Sequence, residues 1–292
     1  MNRRLASWFN ERGRLSSDAG HKLRAERYYQ LASTLDPSWS VPWYNRGLLT
    51  KYAGRWEDSL RFNRRALELD TADKAAWWNL GIAATALRNW GEARRAWIHC
   101  GVALNEGSDE VSISPVTGCV RLNPQESGEV VWGRRLDPAR FLILNVPLPE
   151  SQHRFRDIVL NDGAANGTRE SNNVEVPVFD ELALWQPSGY STFRVSINVP
   201  DERAEQKLAE FCEAGDIGVE DWSSIRFICA ACSRGTPGPH TCKAAEPEQT
   251  RKTFAFAAGS SAEVSDMLRR WTAVAEGAEF GEVETVLAAA SN

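Results

Sequence analysis

One spacing constrains this chain more than anything else in it. Trp43-Tyr44-Asn45-Arg46-Gly47 returns 34 residues later as Trp77-Trp78-Asn79-Leu80-Gly81. Trp56 returns as Trp90, Ser59 as Ala93 and Ala66 as Cys100. A fixed period of this length means that one supersecondary unit is written repeatedly, and such units bury their apolar faces by stacking on one another. The best-preserved copy predicts a first helix from about Val41 to Tyr52 and a second from about Glu57 to Leu69, with Gly54 between them. Leu60, Leu67 and Leu69 recur at helical spacing. Gly47 sits where two helices must approach closely, and Asp70 closes the unit.

One period before Trp43 stands Phe9, and Gly13, Ala25, Tyr29, Ala32 and Asp36-Pro37 follow at the matching offsets. A degenerate first copy therefore covers about Trp8 to Pro37. The third copy keeps Trp77, Leu80, Gly81, Ala93 and Trp97. On these residues the stretch 6–103 resembles the tetratricopeptide repeat (TPR) family. The resemblance implies an α-solenoid of about three units over residues 1–104, whose work is to hold another protein.

In that family the partner lies on the inner surface of each first helix. Carried over position by position, the partner-binding candidates are Tyr44, Leu48, Lys51, Tyr52, Trp78, Ile82 and Thr85. The same side chains can instead pack on a neighbouring domain. One family subtype grips the C-terminal carboxylate of chaperone tails with lysines and asparagines. Asn45 fits it, but Asn10, Ala75 and Asn79 stand where basic residues and the rest of the clamp belong, which argues against that subtype. The chain also departs from the family at Arg46, where leucine is usual. Of 12 tryptophans, Trp39 and Trp78 are the ones packing least requires, so they join the candidate contact surface.

Charge divides the chain. Residues 1–100 carry a net +7 and residues 101–292 a net −12. An ordinary solvated surface would account for this. So would a basic solenoid that attracts an acidic partner or docks on its own acidic half. Most of the chain would repel phosphate, so nucleic acid is a poor partner. No apolar run reaches the roughly 20 residues that span a bilayer. Met1 to Trp8 carries arginines with no apolar core after them, so neither a signal peptide nor a membrane is expected and the expected location is cytoplasmic.

After Gly101 the helical period fades, and residues 105–109 read as a linker. Short β-rich runs at 130–132, 141–146, 158–160 and 174–178 are broken by prolines and by Asn161-Asp162-Gly163. They predict a small barrel or curled sheet over 118–190. From 191 to 292 the pattern is a strand at 192–199, a helix at 202–212, strands at 225–229 and 252–257, a helix at 261–275 and a strand at 282–287. That order, β-α-β-β-α-β, predicts a ferredoxin-like sandwich, a fold shared by too many functions to imply one. The whole is expected to be a multidomain α + (α+β) chain.

Cys229, Cys232, His240 and Cys242 flank a loop rich in glycine and proline. Two thiolates separated by two residues, with a returning His and Cys, can make a four-ligand site for one structural zinc ion. Free thiols on a hairpin, or a redox pair, remain alternatives at this point. His153, near Asp162 and Asp180, is the one acid/base grouping. No nucleophile elbow, phosphate-binding glycine loop or zinc-protease helix accompanies it. The expected function is non-enzymatic protein–protein interaction, as an adaptor, assembly factor or chaperone-like binder. An immunity protein against a cognate toxin and an enzyme with its site in the 120–190 module are the alternatives.

Overall fold

The computed structural model describes residues 2–126, 128–171, 173–224 and 251–290. It divides into two compact units: residues 1–114 with 136–140, and residues 115–135 with 141–292.

The first unit holds six helices: α1 Arg3–Asp18, α2 Lys22–Leu35, α3 Ser40–Lys51, α4 Trp56–Leu69, α5 Lys74–Ala86 and α6 Trp90–His99. They pack as three successive hairpins, α1 with α2, α3 with α4 and α5 with α6. The period explains how. In each hairpin a glycine on the first helix meets the residue sixteen positions later on the second. A Cβ on Gly13 would lie 2.5 Å from the Tyr29 ring, on Gly47 2.5 Å from the Asn63 amide, and on Gly81 2.7 Å from the Trp97 indole. The small residues Ala25, Ser59 and Ala93 are all fully buried at equivalent positions.

The repeated tryptophans have a second role. Trp43 Nε1 donates to the Pro37 carbonyl at 3.2 Å, and Trp77 Nε1 donates to the Thr71 carbonyl at 3.0 Å. Each indole thus ties the start of a hairpin to the turn before it. Asp73 and Asn89 cap α5 and α6 by accepting from the backbone N–H of Ala76 and Glu92. After α6 the chain runs without helix or strand, held by Arg94, which donates to the carbonyls of Asn105, Asp109 and Glu110. In the same unit the buried Arg140 pairs with Asp137 and Glu110 and donates to the Val111 carbonyl.

The second unit begins with a closed five-stranded barrel, β1 Val116–Arg121, β2 Val130–Arg135, β3 Arg140–Ile143, β4 Ile158–Ser171 and β5 Val174–Gln186. β1 pairs antiparallel with β2 and parallel with β5, which closes the ring and removes the exposed edges of an open sheet. Val120, Leu122, Val131, Phe141, Ile143 and Val159 fill it. Gly133 is obligatory, since a Cβ there would lie 2.0 Å from the Leu142 carbonyl oxygen.

Asn161-Asp162-Gly163 does not break the strand, contrary to the sequence reading. β4 runs through it, and the pairing with β5 shifts register between Asn161 and Ala165. Turn-forming residues have made a bulge here instead of an end.

A second sheet follows, with strand order β10-β6-β8-β7. Its strands are β6 Ser191–Asn198, β7 Gly218–Asp221, β8 Lys252–Ala258 and β10 Glu284–Leu287, and the short β9 Glu279–Phe280 also pairs with β6. The pairs β10–β6, β6–β8 and β7–β8 are all antiparallel. Helices α7 Glu202–Ala214 and α8 Ser261–Thr272 give Leu208, Cys212, Val264, Met267, Leu268 and Trp271 to one core with Phe193, Phe254 and Phe256. The sequence reading missed β7. The strand it placed at 225–229 lies outside the described residues.

Barrel and sheet fall within one compact unit. Val146, Phe155, Ala255 and Ala257 form a shared cluster. Glu220 accepts from Asn145 Nδ2 at 2.8 Å and from the Val146 N–H at 3.0 Å.

Candidate functional site

The seven inner-surface positions meet different fates. Tyr52 is exposed, while Tyr44, Leu48 and Trp78 are half-buried. Lys51, Ile82 and Thr85 are buried and present no surface to a partner. Lys51 Nζ sits 4.3 Å from the centre of the Tyr52 ring. Trp78 meets Trp97 edge-on, with ring centres 5.2 Å apart, so packing claims part of it. Asn45 Nδ2 donates to Asn10 Oδ1 at 2.9 Å. The two residues at the clamp positions therefore bond each other. Trp39 lies under the Arg3 guanidinium, 4.4 Å from its ring centre.

A different feature of the second hairpin is better formed. Arg46, on α3 one turn after Trp43, points between aromatic rings. Its guanidinium carbon is 3.9 Å from the Phe62 ring centre and 5.0 Å from that of Trp43. Nη1 donates to Ser33 Oγ at 3.1 Å, and Nε is buried with no hydrogen-bond partner. Burial, and secondarily the nearby Arg61, lower its pKa from the usual arginine value. Trp43, Arg46 and Phe62 wall an open pocket of about 560 Å³, which Arg61, Arg64, Arg65 and Glu68 complete from α4. Arg61 pairs with Asp58 and Arg65 with Glu68, both at 2.6 Å, and Arg64 grips Glu92 through two nitrogens at 3.0 and 2.6 Å. The sequence signal for this site was the departure from leucine at Arg46.

In the barrel, His153 is buried, and its partner is Glu181, which the sequence reading did not choose. Nε2 lies 2.5 Å from Glu181 Oε1, and Nδ1 lies 3.0 Å from the Ser151 carbonyl. Burial opposes the charged ring, but the bond to Glu181 and that carboxylate's charge outweigh it and raise the His153 pKa. An imidazolium donating from both nitrogens fits these neighbours. Asp180 is instead paired with Arg121 at 2.5 Å, and Asp162 accepts from the Gly163 N–H at 2.7 Å. The grouping of His153, Asp162 and Asp180 is thus replaced by a His153–Glu181 pair, with Asn123 donating its backbone N–H to the other Glu181 oxygen at 2.9 Å.

Nearby, burial pushes the Glu129 carboxyl up to about 7, although the Leu148 N–H bonded to it works the other way. Burial also raises Glu220.

Cys229, Cys232, His240 and Cys242 lie outside the described residues. Among the described residues no helix is long and apolar enough to cross a membrane.

No family model matches the chain, and no curated protein does. Among solved structures it is similar to the TPR domain of Arabidopsis OM64, at 19% identity and a TM-score of 0.33, over 35% of this chain and 84% of that one. It is also similar to the second TPR of Spaghetti (RPAP3) bound to an HSP90 peptide, at 21% identity and a TM-score of 0.34, over 35% and 95%. A third is an O-GlcNAc transferase mutant from Thermobaculum terrenum, at 21% identity and a TM-score of 0.31, over 33% of this chain and 19% of that one.

Proposed function

We propose that this chain is a non-enzymatic protein–protein interaction protein that captures a protein partner with its helical hairpins. The observation that carries this reading is the second hairpin. Its periodic glycine and small residues account for the packing, yet it also presents an open aromatic pocket ringed by arginines, which packing does not require. Aromatic and arginine side chains are the residue types that most often dominate binding energy. An adaptor, assembly factor or chaperone-like role belongs to this reading, with the acidic C-terminal unit as a second surface.

The test is affinity capture from native cells with the full chain as bait. A protein retained by wild type and lost with the charge reversals Arg61→Glu and Arg65→Glu together supports the reading. Equal retention by both moves the contact away from this arginine face, and no protein retained by wild type sinks the reading.

The order and directions of the second sheet favour reading that region as a ferredoxin-like sandwich. The four soft ligands at Cys229, Cys232, His240 and Cys242 suit one structural zinc ion. Elemental analysis of untagged protein should then find one zinc per chain, lost when Cys232 is replaced by Ser.

A further inference from the structure

We propose that the Arg46 pocket is a binding site for an acidic segment of a partner protein, one that brings a carboxylate to the Arg46 guanidinium and an apolar side chain to the half-buried Trp43 ring. The inference rests on the reading of the chain as a protein binder and names the chemistry of what it binds.

Arg46 is distinguished by what it lacks. Where the repeat calls for leucine, this chain places a guanidinium between two rings, with one hydroxyl partner and a buried Nε that has none. Among the described residues no carboxylate forms an ion pair with it. The neighbouring arginines differ. Arg61 and Arg65 hold Asp58 and Glu68 in pairs three residues apart on α4, with the arginine side chains 67% and 40% exposed. Exposed pairs of this kind are worth about 0–1 kcal/mol, so these guanidiniums can turn to an incoming carboxylate at little cost. Arg64 is held more firmly, because Glu92 is only 9% exposed. The pocket therefore has one half-buried cation with no ion pair among the described residues, though the charges of Glu26 and Asp58 act on it, and two adaptable cations at more exposed positions.

The shape and charge select the class of ligand. Guanidiniums match carboxylates bidentately, and the half-buried Trp43 ring offers an apolar wall beside them. The volume of about 560 Å³ takes a few side chains of a segment laid across it. The net +7 of residues 1–100 favours approach of an anion. The net −12 of the remainder disfavours a long polyphosphate chain, so a peptide is chosen over a nucleic acid.

The test uses the full chain and a fluorescein-labelled peptide of glutamates interspersed with leucines, read by anisotropy. The expected result is binding that weakens with added salt, and a loss of about tenfold or more in Arg46→Leu. That variant restores the repeat's own residue, so its unfolding midpoint should be unchanged or raised. Arg65→Glu, at an exposed position, should weaken binding as well. No binding by wild type, binding by Arg46→Leu and Arg65→Glu as tight as that of wild type, or tighter binding of oligothymidylate than of the peptide would each overturn the proposal. Cellular capture separates the two levels: a partner retained equally by wild type and Arg46→Leu removes this pocket and leaves the binder reading standing, whereas no partner retained by wild type removes both.

Discussion

Gly81 has no room for a side chain, because the Trp97 indole occupies the place a Cβ would take. Gly81→Ala must push apart the two helices of the third hairpin, a strain of about 1–3 kcal/mol for one added carbon in a packed core. Urea unfolding should show that loss, and an unchanged midpoint would mean that the hairpin is looser than drawn. Two proton-binding groups, the partly buried Glu129 and the buried His153, make a second prediction at this scale. Glu129 and His153 both hold protons more tightly in the folded chain than their ordinary values imply. Folding is therefore favoured where they are protonated. The Glu129 contribution is complete below 4.5 and lost as pH rises through about 7, on the order of 3 kcal/mol. The His153 contribution is complete below 6.5 and lost as pH rises through its raised value. The melting temperature should fall as pH is raised from about 5 to 8, a window above the range where lowered carboxylates such as Asp36 and Asp216 act in the opposite sense. Glu129→Gln should flatten the lower part of that slope and His153→Gln the upper part. A melting temperature that rises across the window would contradict both assignments.

The helices were legible in the sequence because their period ties each residue to a fixed neighbour, so α3 and α4 start and end within a residue or so of expectation. Burial of the inner face was not legible. Position in the repeat says which way Ile82 and Thr85 point, but not that other atoms already cover them. Trp78 shows the consequence. Its edge-on contact with Trp97 means that Trp78→Ala should cost about 2 kcal/mol of stability, less than a fully buried tryptophan. Tyr52→Ala, at a side chain half exposed, should change stability by no more than about 0.5 kcal/mol. Thermal melts of the two variants decide this, and only Tyr52→Ala is then a clean probe of the inner surface. The barrel strands were located by their β-rich runs, but their lengths were not. Asn161-Asp162-Gly163 has the composition of a turn, and only the pairing with β5 converts it into a bulge inside a strand of 14 residues. The partner of His153 was hidden for a similar reason. Glu181 lies 28 residues away on β5, and only closure of the barrel brings the two together.

At the scale of the whole molecule, the chain combines a basic run of helical hairpins with an acidic unit of barrel and sheet. Close glycine contacts hold each hairpin together, and the second hairpin carries a cluster of arginines beside Trp43 and Phe62. The central claim is that the helical repeats carry the contact with a protein partner. It is tested most directly by placing a benzoyl-phenylalanine photo-crosslinker, one position at a time, at Tyr52 and Arg65 on the repeats and at the exposed Leu184 on the barrel, then irradiating native cells. A discrete crosslinked protein from position 52 or 65, absent from position 184, is the expected result. A crosslink from position 184 alone, or none from any position, would contradict it.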